Sequence, residues 1–205
     1  MSAGFAIFVD RDGVINELVP DPDRGTWKSP STPDEVRLSP GAIGGLQELQ
    51  HTGAPVIVVS NQPDAATGRG TPESLRSVHL AVETRLERAG VHIHDYRYCF
   101  HHPEGSDAEL GRVCSCRKPE PGLILEAAAA LVSCDLSHSW LIGDSEVDIE
   151  AGRRAGCRTI LVENPLSRHR RSGSVEPDER AADLKEAAAM ITRLLRGAGE
   201  SDGVG

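Results

Sequence analysis

Three features of the chain predict an α/β fold, a Rossmann-like parallel sheet flanked by helices. Short apolar runs alternate with helix-like segments, reactive residue types recur where those runs end, and 205 residues suit one core. The first run is Phe5 to Val9, followed directly by Asp10, Arg11, Asp12 and Gly13. Leu18 to Glu35, rich in Pro, Asp, Ser and Thr, fits a loop or short hairpin beside that strand. Ser39-Pro40 offers a hydroxyl cap and a proline at the first helical position, Ala42, Ile43, Leu46 and Leu49 share one face, and Gly53 supplies a stop. Pro55 to Ser60 is the second strand, and Thr71-Pro72 opens the next helix in the same way. Val91 to Cys99, Ser139 to Gly143 and Arg158 to Val162 complete the strands. Helices are expected from Pro121 to about Val132, from Glu146 to Ala155 and from Arg180 to Leu195. Pro165 to Arg180 reads as a mobile crossing segment whose arginines form a solvated basic loop, with a second anion contact as the functional alternative. The pattern gives one domain over residues 1–196 and a disordered tail over 197–205, with no internal repeat.

A net charge of −9 argues against a broad nucleic-acid or anionic-membrane surface, because like charges repel. The longest apolar run, Leu123 to Val132, is interrupted by Glu126 and is too short to span a bilayer. Met1 lies almost against the first strand, leaving no room for a leader. A cytoplasmic protein is therefore expected, with a monomer as the default. A small anionic substrate stays compatible with the charge if basic residues gather at one site. Five cysteines suit no disulfide framework in a chain of this size, and three of them cluster.

Side chains two apart on extended backbone point the same way, so Asp10 and Asp12 can face one bound group. One carboxylate can attack phosphorus while the other handles protons. A strand-end turn in which Asp and Gly supply only turn chemistry competes with this reading. In an open parallel sheet ligands collect beyond the carboxyl ends of the strands. Ser60-Asn61-Gln62 there offers a hydroxyl and amides to phosphate oxygens, and Gly143-Asp144 begins a stretch of carboxylates suited to a hard cation. Ser145 and Asp148 match a capping box, so Asp148 is either a helix cap or part of a metal site. Arg117 and Lys118 bring positive charge: Lys118 as a point charge on a phosphate, Arg117 as a bidentate grip on a polar or anionic group.

Cys99 and His101, then twelve residues, then Cys114 and Cys116 supply three thiolates and an imidazole. That set fills a tetrahedral shell and points to structural Zn²⁺ in a loop over 99–116, fixing Arg117 and Lys118 at its end. Cys134 and Cys157 lack such partners and read as ordinary buried thiols, and His102 as a packed neighbour of a ligand.

With Asp-Arg-Asp-Gly-Val, the Ser-Asn turn, the lysine and Gly-Asp-x-x-x-Asp in order, the chain resembles the haloacid dehalogenase superfamily of aspartate-nucleophile phosphatases over most of residues 5 to 163. Cys-Phe-His-His-Pro-Glu-Gly and Cys-Ser-Cys-Arg-Lys-Pro-Glu-Pro-Gly narrow the resemblance to its heptose bisphosphate phosphatases. Histidinol-phosphate phosphatases are similar, with a typically shorter zinc loop. The resemblance implies a fold without a large cap and a small sugar-phosphate substrate. It further implies Asp10 as nucleophile, Asp12 as acid and base, and Ser60 and Lys118 on the phosphoryl oxygens. Mg²⁺ would be held by Asp10, the Asp12 backbone carbonyl and Asp144. Arg11, Asn61, Arg117 and Lys118 are the expected substrate-binding set. Ser145 stands where relatives commonly have lysine, and the loops after Asn16 and over Pro63 to Arg69 diverge. A catalytically silent, zinc-stabilised binding protein is the alternative from another class.

Overall fold

The computed structural model describes residues 4–201. Six parallel strands form one sheet in the order β5-β4-β1-β6-β7-β8. They are β1 (Ile7–Val9), β4 (Val56–Asn61), β5 (Asp95–Cys99), β6 (Trp140–Gly143), β7 (Arg158–Val162) and β8 (Glu179–Ala181). A separate antiparallel hairpin pairs β2 (Val19–Asp21) with β3 (Thr26–Lys28), as the Pro- and Asp-rich stretch suggests. The helices are α1 (Ala42–Gln50), α2 (Pro72–Arg88), α3 (Gly122–Ala129), α4 (Glu146–Ala155) and α5 (Leu184–Ser201).

The central strands are buried on both faces, so their side chains alternate between two apolar layers rather than between core and water. Ile7, Val9, Val58 and Ile142 face Leu46, Leu49, Val78, Val82, Leu86 and Ile191. Phe8, Ile57, Val59 and Leu141 face Leu123, Ile124, Ala127 and Ala151. The chain leaves β1 to one side for β4 and later returns on the other side as β6. Strand order therefore reverses at β1, where an open α/β sheet forms its crevice. Register places Val9 opposite both Val58 and Ile142, so Asp10, Ser60 and Asp144 emerge at one edge.

Several expectations need correction. Ser39 does not cap α1: Gly41 takes the cap in the left-handed region, at φ 79°. Thr71 does cap α2, its hydroxyl accepting from the Ser74 N–H at 3.1 Å. The stretch from Glu179 pairs with β7 as a short edge strand before α5 begins at Leu184. Pro165 to Arg180 is an anchored arm: it starts with a 3-10 turn at Pro165–Arg170, and the Glu146 carboxylate accepts from backbone N–H groups of Ser172 and Ser174 at 2.7 and 3.0 Å and from Gly173. Helix α5 runs through Gly197 to Ser201, and the rest of the expected tail lies outside the described residues. No described helix is long and apolar enough to cross a membrane.

Candidate active site and metal clusters

A cavity of about 370 Å³ opens at the strand ends, lined by Asp10, Asp12, Ser60, Asn61, Arg117 and Lys118. Ser29, next to β3, and Arg170, at the end of the Pro165–Arg170 turn, also line it. Asp10 lies at its base, bonded to Lys118 Nζ through Oδ1 at 2.7 Å. Lys118 Nζ also meets Asp148 Oδ1 at 2.5 Å and donates to the Val59 carbonyl at 2.8 Å. Burial works against the lysine's charge, but Asp10 and Asp148 outweigh it and hold its pKa above the ordinary value. Asp148 thus bonds with Lys118 and also caps α4, accepting from the Ser145 N–H at 3.1 Å and from the Ser145 hydroxyl.

Asp144 is different. It is fully buried, and neither carboxylate oxygen has a hydrogen-bond partner among the described residues. Burial, then the charges of Asp10 and Asp148, push its pKa up to about 8. Burial raises Asp10 to about 6, against the pull of Lys118. Oxygens of Asp10, Asp144 and Asp148 lie within 4.8 Å of one another. An orphaned buried carboxylate beside two others is a donor set that fits a hard divalent cation. Gly13, at φ 98°, makes the approach possible, since a Cβ there would overlap the Asp144 carboxylate.

Asp12 lines the same cavity but is not part of that cluster. Oδ1 accepts from Arg11 Nε at 3.1 Å and Asn16 Nδ2 at 2.9 Å; Oδ2 accepts from Arg11 at 2.9 Å and Gln62 Nε2 at 2.6 Å. Burial would raise its pKa, but the Arg11 guanidinium and these bonds hold it below the ordinary carboxylate value. Two of the expected substrate contacts have their polar atoms engaged within the protein. Arg11 is 1 % exposed and turned away from the cleft, onto Asp12, Gln62 and the Tyr98 ring. Asn61 spends both amide atoms on the Lys118 backbone, accepting its N–H and donating to its carbonyl, each at 3.0 Å. Sequence spacing does not say which way an amide or guanidinium turns.

The thiol cluster matches its expectation closely. The three sulfurs are 3.1 to 3.6 Å apart, and His101 Nδ1 lies 3.3 Å from Cys116 Sγ and 3.7 Å from Cys99 Sγ. Four convergent soft and borderline donors fit tetrahedral zinc. Arg117 donates to the His101 carbonyl at 3.2 Å, which ties its cleft position to this loop. Cys157 is buried as expected, whereas Cys134 is only half-buried, 3.6 Å from the Ser139 hydroxyl.

Residues 115–187 match the model of a family described as HAD-hydrolase-like. The chain is 33 % identical over 191 residues to the D-glycero-α-D-manno-heptose-1,7-bisphosphate 7-phosphatase of Photorhabdus laumondii, covering 92 % of this chain and 94 % of the relative. The chain belongs to the HAD phosphatases. The β-anomer-named 7-phosphatase of Escherichia coli K12 is 34 % identical over 157 residues, 77 % of this chain and 78 % of that one. The D,D-heptose 1,7-bisphosphate phosphatase of Bordetella bronchiseptica, crystallised with magnesium and phosphate, superposes with a TM-score of 0.75 at 27 % identity, covering 92 % and 98 % of the two chains. Gln62 and Arg170 join the site in the structure although the sequence marks the first only as part of a polar turn and the second only as part of a basic loop; nothing local in the sequence shows that Gln62 bonds Asp12 or that Arg170 lines the cavity.

Proposed function

We propose that this phosphatase removes the 7-phosphate of a D-glycero-D-manno-heptose 1,7-bisphosphate through an aspartyl-phosphate on Asp10. The observation that carries the reading is Asp10 in a cleft that sets carboxylates against Arg117, Lys118 and Arg170, 2.7 Å from Lys118 and beside the unpartnered Asp144. Asp10 attacks phosphorus as the bond to the sugar oxygen breaks; Asp12 in its protonated form gives that oxygen its proton and is left as the carboxylate that Arg11, Asn16 and Gln62 stabilise. Asp12 then takes a proton from water, which attacks the phosphoenzyme and releases inorganic phosphate. Ser60 and Lys118 hold the phosphoryl oxygens. Asp10, Asp144 and the Asp12 backbone carbonyl would hold Mg²⁺, which when bound offsets the negative charge crowded between carboxylates and phosphate. Asp148 stays with Lys118 and Ser145. Arg117 and Arg170, on the walls of the cleft, serve the remaining anionic part of the substrate.

In the same reading Cys99, His101, Cys114 and Cys116 hold structural Zn²⁺ and keep Arg117 and Lys118 in place. The enzyme works in the cytoplasm as a monomer on a small sugar phosphate, without nucleic acid or membrane. Phosphate release measured on both anomers of the heptose bisphosphate and on histidinol phosphate, with and without Mg²⁺, tests the proposal. The expected result is Mg²⁺-dependent turnover of the heptose substrate, abolished by Asp10→Asn on the order of 10³-fold or more. A preference for histidinol phosphate would replace the substrate, and near-normal Asp10→Asn turnover would remove the nucleophile.

A further inference from the structure

Gln62 sits where the three working parts of the cleft meet. It is 3 % exposed. Its Oε1 accepts from Arg11 at 2.7 Å, and because a guanidinium only donates, the orientation of the amide is fixed. Nε2 must then face the other way, where it donates to Asp12 Oδ2 at 2.6 Å and to the Ser60 hydroxyl at 3.1 Å. Its backbone N–H donates to the Cys99 carbonyl at 2.7 Å, so the amide hangs from the strand that begins the thiol cluster. One side chain therefore links the carboxylate proposed for proton transfer, the hydroxyl proposed for the phosphoryl group and the buried arginine behind both.

We propose that Gln62 is a positioning residue that aims Asp12 at the leaving oxygen. The inference rests on the phosphatase reading above, with Asp12 as the proton-transfer group. Arg11 and Asn16 hold the carboxylate from behind and from the side, and the Gln62 amide fixes the oxygen that shares its donor with Ser60. Gln62 touches no reacting atom. Its main effect belongs in proton delivery, during the half-reaction in which the Asp10–phosphorus bond forms and the phosphorus–oxygen bond breaks, while loss of its 3.1 Å bond to the Ser60 hydroxyl acts on every substrate alike.

Leaving groups separate that role from a structural one. An alkoxide needs the proton from Asp12, whereas 4-nitrophenolate departs without it. The quantity to measure is kcat/KM for a sugar or alkyl phosphate and for 4-nitrophenyl phosphate, in Gln62→Met, Gln62→Glu, Asp12→Asn and the Asp12→Asn/Gln62→Met pair. Gln62→Met is expected to lower the alkyl value roughly 10-fold or more beyond any loss in the aryl value, the aryl loss reporting the Ser60 contact. Gln62→Glu, which keeps an acceptor for Arg11 but sets a carboxylate against Asp12, is expected to give the same split and serves if the methionine variant does not fold. In the Asp12→Asn background Gln62→Met adds nothing further to that split. If Asp12→Asn shows the split and the Gln62 variants lose both substrates equally, or neither, the positioning role is wrong. If Asp12→Asn itself shows no split, the assignment of Asp12 fails instead.

Discussion

The two clusters of metal-type ligands differ in what holds them together. Cys99, His101, Cys114 and Cys116 come from one loop, partly exposed, with each donor close to the others. Asp10, at the end of β1, is far in sequence from Asp144 and Asp148, which lie at the end of β6 and the start of α4, and all three are buried. The first is a staple whose donors can be read from spacing. The second exists only once β1 and β6 are neighbours, and it gathers like charges where water cannot screen them. That arrangement costs stability in the protein alone, and it supplies the place where a cation and a phosphate group can be bound together. The sheet edge is thus tuned for chemistry and the loop for holding.

Asp144→Asn breaks the comparison most sharply. Mg²⁺-dependent phosphate release is expected to fall on the order of 10³-fold or more, while zinc content stays the same. Stability should move the other way. A carboxyl raised from 3.8 to about 8 binds its proton more tightly folded than unfolded, so the metal-free protein loses stability as pH rises from about 4 through 8. Asp10, raised to about 6, adds to the lower part of that window. Asp12 is depressed and acts in the opposite sense, but only below the ordinary carboxylate range. Metal-free Asp144→Asn should therefore unfold roughly 3 °C or more above the parent at pH 8, the response of a chain this size to about 1 kcal/mol, and show no added stability at pH 5. Thermal unfolding in a chelator, with pH as the variable, checks it.

Cys114→Ser attacks the other cluster. Zinc is expected to be lost, and activity to fall roughly 10–100-fold because Arg117 and Lys118 lose a fixed base while the carboxylates stay intact. Metal analysis together with kcat at saturating Mg²⁺ decides it, and unchanged zinc would remove the staple. The smallest effect is expected at Arg170. Arg170→Gln should raise KM for a bisphosphate about tenfold with kcat little changed, since a partly exposed charge-assisted contact is worth about 1.5 kcal/mol. Steady-state kinetics on wild type and variant provide the comparison.

What the sequence made legible follows from how local each feature is. Apolar runs buried on both faces announce β1, β4, β6 and β7, and Thr71-Pro72 announces α2, because each is decided within a few residues. Glu179–Ala181 is a strand only because β7 is there to pair with, and its three residues carry no apolar pattern. Asp10, Ser60 and Asp144 could be placed from strand ends, and Lys118 from its position just after the cysteine cluster. The work of Asn61, which clamps the backbone of Lys118, and of Arg11, which holds Asp12, depends on partners 57 positions away or on the direction a side chain turns. Arg170 reaches the cleft because Asn164 Nδ2 donates to the Gly13 carbonyl at 2.9 Å and Ser167 donates to that of Asp144 at 3.1 Å, bringing the arm over the site.

Gly13 sets a limit on how this chain can vary over generations. Gly53 and Gly90 share its left-handed backbone, at φ 76° and 71°, yet open space surrounds them, so asparagine there carries only a modest conformational cost. Position 13 has no such latitude: any side chain must push apart the loops that follow β1 and β6. Drift can reach the outer turns freely, while the width of one missing methyl group keeps the two halves of the crevice within reach of a shared ion.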